Sequence, residues 1–146
     1  DDWLRAVSLE HEHLLARLDP LVEMNPSKVF VLIGTNDLAI GFTVAEIVAN
    51  VEKLVGELRT RVPAAQIYLQ GVMPRNRKFA ESIHALNARY RAIAQEHKVT
   101  FVDLFPAFDD GTGQIRATFS EDELHLNGAG YAAWRVVLAS LVTSKL

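Results

Sequence analysis

The sequence predicts an α/β fold in which a parallel sheet lies between two layers of helices. Three short strand-like segments, at 28–33, 66–70 and 99–102, alternate with longer segments whose apolar residues recur at helical spacing. The first strand contains the uninterrupted apolar run 29–33, which is typical of a strand that is buried on both faces. Alternating strands and helices favour parallel strands joined by right-handed crossovers, with helices on both sides of the sheet.

Four helices are predicted from the apolar spacing and from helix-end signals. The first covers roughly 8–24 and is closed by Pro26. The second begins at a capping box, in which the Thr43 hydroxyl accepts from the backbone and Glu46 reaches back to the cap, and it continues to about 61. The other two cover about 77–97 and 128–143, and Tyr131 and Trp134 are expected in the core.

Composition limits the classes of protein to consider. The chain has 146 residues, 49% of them apolar, which predicts a single domain over 1–146 with a substantial core. A net charge of −3 and the lack of a basic stripe argue against nucleic acid as a partner. No apolar run reaches the ~20 residues of a membrane span, and no signal peptide is visible at the start. The sequence therefore does not decide between a cytoplasmic protein and one that is secreted after its signal peptide is removed.

A group of small polar residues follows the first predicted strand directly. In Gly34-Thr35-Asn36-Asp37, the amide of Asn36 is placed to donate a hydrogen bond to a developing oxyanion, and Gly34 lets a substrate approach the backbone. In open parallel sheets ligands bind beyond the carboxyl ends of the strands, which is where these residues fall. The alternative is an ordinary turn, because Gly, Asn and Asp favour turns for local reasons.

A second polar group precedes the last predicted helix. In Asp122-Glu123-Leu124-His125, a carboxylate stands three residues before an imidazole, and Asp122 could orient His125 as a general base. The alternative is a surface loop whose acidic residues cap the following helix. Asp-x-x-His alone is weak evidence, but the two polar groups in this order, each at a predicted element boundary, are much stronger.

Together these residues resemble the SGNH (GDSL-like) hydrolase family, in which Gly-x-Asn-Asp follows the third strand and Asp-x-x-His precedes the last helix. The resemblance covers about 14–142. It implies a flavodoxin-like three-layer α/β/α fold and assigns Asn36 as an oxyanion donor, His125 as the base and Asp122 as its orienting partner. Gly34 would be structural at the same oxyanion hole. The implied activity is serine-type hydrolysis of a small carboxylic ester, with an acetyl or short acyl group, without metal or organic cofactor.

The family's nucleophile block, a strand that ends in Gly-Asp-Ser, is absent from the sequence. The nucleophile is therefore unknown. Ser8 is a candidate with little support, because it is expected at a helix N-cap where serine is common for capping reasons alone. Ser120 is near Asp122 and His125 in sequence, but that proximity does not aim its hydroxyl at the imidazole. We expect the chain alone to have little or no esterase activity.

Two further hypotheses remain beside an esterase whose chain is N-terminally incomplete. The first is a non-catalytic hydrolase-like domain used for binding or assembly. The second is a nucleotide or signalling domain, which is disfavoured because no Gly-rich phosphate loop follows a strand. If the family's first two strands are missing or replaced, 29–33 becomes a sheet edge open to pairing. We expect one of three arrangements. The chain forms a homodimer through this edge, its N-terminal residues fold back over the edge, or the sequence lacks residues of a longer protein that would cover it.

Overall fold

The fold is built on a parallel sheet of four strands in the order β1-β2-β3-β4. The computed structural model describes residues 6–9 and 18–143, with side chains for 18–141. The strands are β1 (Ala6–Leu9), β2 (Lys28–Val31), β3 (Gln66–Gln70) and β4 (Thr100–Val102). Every neighbouring pair is parallel, so the predicted parallel sheet is confirmed.

Helices connect these strands and supply the outer layers. The capping box at Thr43 is confirmed: its hydroxyl accepts from the Glu46 amide, and the Glu46 carboxylate accepts from the Thr43 amide. A 3₁₀ turn at Arg77–Phe79 precedes the fourth helix. The helices are α1 (Leu18–Met24), α2 (Thr35–Ala39), α3 (Val44–Arg61), α4 (Ala80–His97), α5 (Phe105–Phe108) and α6 (Gly128–Thr143).

Alternating side chains of the strands build two separate cores. Val29 and Val31 of β2 pack into one core with apolar residues of α1, α3 and α4. Phe30, which lies between them, belongs to the other core, against which α6 packs. Side chains of successive strand residues point to opposite faces, so the sheet separates the two helical layers. The three-layer α/β/α architecture is thus confirmed.

The predicted first helix over 8–24 was wrong in its first part. Residues 6–9 form β1, and α1 begins only at Leu18, while 10–17 lie outside the described residues. Ser8 therefore lies inside a strand, paired with Phe30, and not at a helix N-cap. Pairing with β2 satisfies the backbone of this short apolar segment, and that long-range contact outweighs the local helical spacing.

The expected free edge at 29–33 was also wrong. β2 is flanked by β1 on one side and β3 on the other, with Val29 paired to both Val7 and Ile67. Of the three arrangements considered, the described residues show the one in which an N-terminal segment covers this strand. A homodimer through the 29–33 edge loses its basis, because the backbone groups of β2 already bond within the chain.

Candidate active site

A cleft of about 220 Å³ opens at the carboxyl ends of β2 and β3. Three separate parts of the chain line it: residues 32–36 after β2, 72–75 after β3, and 124–126 before α6. Tyr131 and Trp134 of α6 complete the wall. Loops that leave neighbouring parallel strands meet at one sheet edge, which is how the two polar groups of the sequence come together.

Gly34 shapes the floor of this cleft through a backbone conformation that other residues rarely adopt. Its φ is +123°, and a Cβ built there would lie 2.7 Å from the Tyr90 hydroxyl oxygen. That hydroxyl donates a 2.8 Å hydrogen bond to the carbonyl of Ile33. Burial, with the charge of Asp37 as a smaller cause, raises the pKa of Tyr90, so the phenol stays protonated and keeps this bond. The chain is thereby pinned one residue before the glycine.

Asn36 follows two residues later, in the first turn of α2. Its side chain is exposed and lines the cleft, whereas the neighbouring Asp37 is buried. An exposed carboxamide at this position can donate N–H to an oxygen in the cleft. The structure thus brings Gly34 and Asn36 to the cavity that His125 also lines.

Asp122 and His125 form a close pair on the turn before α6. The Asp122 Oδ2 lies 2.7 Å from His125 Nδ1. The other oxygen, Oδ1, accepts from the amides of His125 at 2.7 Å and Leu124 at 3.0 Å and from the Ser120 hydroxyl at 3.1 Å. The bond to the imidazole, followed by the backbone bonds, holds the pKa of Asp122 far below its usual range. A carboxylate so held fixes a proton on Nδ1 and leaves Nε2 as the basic nitrogen.

The Asp122–His125 pair is open to solvent, whereas Ser120, which donates to Asp122, is buried. The side chains of His125 and Asp122 are 79% and 55% exposed. Ser120 is only 3% exposed, and its hydroxyl bonds to Asp122 and makes no bond to the imidazole. Ser120 is thus placed to hold the acid. Ser8 lies in β1, and its side chain is outside the described set.

The turn that carries the dyad is anchored to the loop after β3. Glu123 adopts a φ of +64°, in the left-handed region that residues other than glycine seldom adopt. Its carboxylate accepts from Asn76 Nδ2 at 2.7 Å and from Gln114 Nε2 at 3.3 Å. These bonds offset the strain of the turn and hold the Asp122–His125 pair beside the second cleft loop.

Residues 5–133 match the model of the GDSL-like lipase/acylhydrolase family. The chain belongs to this family. It is 30% identical over 127 residues to platelet-activating factor acetylhydrolase IB subunit alpha2 of Rattus norvegicus, and the same holds for the subunit of Homo sapiens. Each match covers 82% of this chain and 54% of the relative, so the chain spans about half the length of the curated relatives it matches.

Solved structures with similar names or activities share the fold of this chain. A GDSL-like lipase from Bacteroides thetaiotaomicron superposes with a TM-score of 0.81 at 17% identity, over 100% of this chain and 91% of that one. A catalytic mutant of an acetylxylan esterase from Geobacillus stearothermophilus gives a TM-score of 0.73 at 20% identity, over 86% and 64% of the two chains. Within the described residues of this family member, no helix is both long and apolar enough to cross a membrane.

Asn87 supports the cleft and was not singled out from the sequence. It lies on the buried face of α4, and its Oδ1 accepts from the Val72 amide at 2.7 Å. Its Nδ2 donates to the Val72 carbonyl at 3.0 Å, so one side chain clamps both backbone groups of a cleft residue. The available signal was an amide within the apolar face of a helix, next to Leu86 and Tyr90. A polar residue there must find hydrogen-bond partners in the interior.

Tyr131 and Trp134 were expected in the core, and this expectation was wrong for Tyr131. Tyr131 is 52% exposed and lines the cleft. Trp134 is half-buried, donates its indole N–H to Gln70 Oε1 at 2.7 Å, and also lines the cleft. Helical spacing places both residues on one face of α6, but that face extends past the rim of the core into the wall of the site.

Proposed function

We propose that this chain carries the base and oxyanion parts of a carboxylic ester hydrolase site. The supporting observation is that Asn36 and the Asp122–His125 pair, which lie far apart in the sequence, line one cleft. In the proposed reaction, His125 Nε2 removes a proton from the attacking hydroxyl. The Asn36 amide then donates to the oxygen that becomes negative as the tetrahedral intermediate forms. Gly34 supports this site through its backbone, because a Cβ there would point into the core against Tyr90 and Leu86 and not into the cleft.

The proposed substrate is a small ester with an acetyl or short acyl group. A cleft of about 220 Å³ is smaller than the usual range for drug-sized ligands, which favours a short acyl chain. Apolar side chains around the cleft, among them Met73, Leu126 and Trp134, suit the carbon atoms of such a group. The names of the relatives, an acetylhydrolase subunit and an acetylxylan esterase, agree with an acetyl ester.

The group that attacks the ester is either a serine hydroxyl or water. No serine hydroxyl bonds to the His125 ring among the described side chains, and Ser120 is bonded to Asp122 instead. We therefore propose that the chain alone is a weak catalyst in which His125 activates water. Serine hydrolases that lose a triad member keep roughly 10³–10⁴-fold catalysis over water, which sets the scale to expect. The same observation supports the second candidate function, a non-catalytic domain for binding or assembly.

Hydrolysis of p-nitrophenyl acetate by the purified chain separates the two functions. The esterase proposal predicts turnover above the buffer rate that is lost in His125→Ala and reduced in Asn36→Ala. His84→Ala is the matched control, because His84 is exposed on α4, packs against Phe105 and does not line the cleft. Equal rates for the wild-type chain, His125→Ala and His84→Ala would overturn the esterase proposal and leave the binding domain.

A fluorophosphonate probe then locates the attacking group. A label on one serine that depends on His125 identifies a covalent nucleophile, and Ser8→Ala tests the candidate in β1. Turnover that depends on His125 without any label instead supports direct attack by water. Either result assigns the chemistry to this cleft, since His125 is the residue that both require.

A further inference from the structure

Arg75 places a positive charge in the wall of the cleft without a carboxylate beside it. Its Nη1 donates to the Thr35 carbonyl at 3.0 Å and to the Thr35 hydroxyl at 3.3 Å. The Phe79 ring lies 4.4 Å from the centre of the guanidinium. Within the described residues, arginines such as Arg91 form ion pairs, but Arg75 forms none.

Arg75 contacts uncharged groups: the Phe79 ring attracts the guanidinium as a cation–π partner, but no carboxylate among the described residues neutralises its charge. The guanidinium carries five N–H donors, and the bonds to Thr35 come from one nitrogen. The side chain is half-buried, and burial lowers the pKa of Arg75, which reflects the loss of water around the charge. An incompletely hydrated cation without a counter-charge favours binding of an anion.

The surroundings give this cation a definite position in the site. Among the residues that line the cleft, Arg75 is the one with a permanent charge; its neighbours in the wall, such as Met73, Pro74 and Tyr131, are uncharged. Through Thr35 it is also adjacent to Asn36, the proposed oxyanion donor. A negative group bound at Arg75 would lie close to an ester bond held at Asn36.

We propose that Arg75 makes the cleft selective for esters that carry a negatively charged group near the ester bond. This inference rests on the proposed function only in that the cleft binds esters. Apart from Nε, which is buried, the N–H groups of Arg75 that do not bond to Thr35 donate charge-assisted hydrogen bonds to the anionic end of the ester. The apolar wall then contacts its carbon chain.

Binding of two matched esters tests this selectivity without relying on turnover. Monomethyl succinate carries a carboxylate where methyl butyrate carries a methyl group, and each is titrated into the ¹⁵N-labelled chain while amide shifts of Gly34 and Asn36 are followed. We expect the anionic ester to bind roughly fivefold tighter at low ionic strength, the scale of a partly exposed ion pair. Added salt should narrow the difference, because the charge is only half-buried.

Variants assign the preference to one side chain. Arg75→Gln removes the charge but keeps an N–H donor for the Thr35 carbonyl, and it should bind both esters equally. Arg75→Lys keeps a positive charge and should retain part of the preference. Arg77→Gln is the matched control, since Arg77 is an exposed arginine close by that contacts Gln114 and does not line the cleft.

The outcomes separate this inference from the proposed function. Equal binding of the two esters by the wild-type chain overturns the inference and leaves an ester-binding cleft. A preference that persists in Arg75→Gln overturns the role of Arg75. Failure of both esters to bind overturns the inference and the proposed function together. A preference that is lost in Arg75→Gln and kept in Arg77→Gln supports it.

Discussion

Replacement of Gly34 by alanine should destabilise the protein more than replacement of any exposed glycine with the same kind of backbone. Two effects add at this position. A φ of +123° costs about 1–3 kcal/mol for a residue with a Cβ. The new methyl group would also lie 2.7 Å from the Tyr90 hydroxyl and 3.1 Å from Leu86 Cδ2, and such overpacking costs about 1–3 kcal/mol more. The sum is about 2–6 kcal/mol, which for a chain of this size lowers Tm by roughly 5–20 °C.

Gly41 is the matched control that separates the two effects. Its φ is +102°, but a Cβ there would meet nothing within 4 Å, so Gly41→Ala should show the backbone cost alone. Urea unfolding of both variants gives the difference in free energy of unfolding directly. If Gly34→Ala unfolds no more easily than Gly41→Ala, the steric reason for a glycine at the cleft is wrong.

A double-mutant cycle identifies the atom responsible. Tyr90→Phe removes the hydroxyl that a Cβ at position 34 would strike, together with its bond to the Ile33 carbonyl. The combined variant should therefore be less destabilised than the sum of the two single variants, by about 1–2 kcal/mol. Strict additivity would mean that the methyl group meets the chain elsewhere.

Three more predictions concern Asn87, Asp122 and the N-terminal cap of α3. Asn87→Ala should lower the free energy of unfolding by about 2–4 kcal/mol, because it leaves the buried Val72 amide and carbonyl without partners; Asn50→Ala, on an exposed face of α3, should leave it unchanged in urea unfolding. The pKa of Asp122 lies below its ordinary value of 3.8, so the stability from its bonds is complete above about pH 4 and is lost as the pH falls further. Asp122→Asn should therefore flatten the acid limb of the stability–pH curve, and an unchanged slope would contradict the lowered pKa. Thr43→Ala should cost about 1 kcal/mol by removing the cap of α3, and Thr43→Ser should restore most of it.

The predictions from sequence that are confirmed depend on local signals. The run 29–33 predicts a buried strand without reference to the rest of the chain, and the three-residue spacing of Thr43 and Glu46 is enough to predict the start of α3. The contact between Asp122 and His125 is equally local, because both residues lie on one turn, while the catalytic role of the pair stays a prediction. In the last two cases the contact itself is formed within a few residues, whereas for the strand only the signal is local.

The predictions that were wrong depend on contacts between distant parts of the chain. β1 is a strand because its backbone pairs with β2, some twenty residues away. The sequence of β1 by itself does not distinguish a strand from a helix. Tyr131 has the spacing of a core residue, but whether it faces core or cleft depends on where the loop after β3 passes. Arg75 lies on that same loop, and its unpaired charge becomes visible only when its neighbours in space are known.

The proposed site is tested most directly by measuring whether one bound ester contacts both Asn36 and His125. Intermolecular NOEs from methyl butyrate bound to the labelled chain would be recorded at the Asn36 side-chain amide and at the His125 ring. We expect contacts from the same ester molecule to both groups. An ester that contacts one of them without the other, while bound in the cleft, would contradict a shared base and oxyanion site.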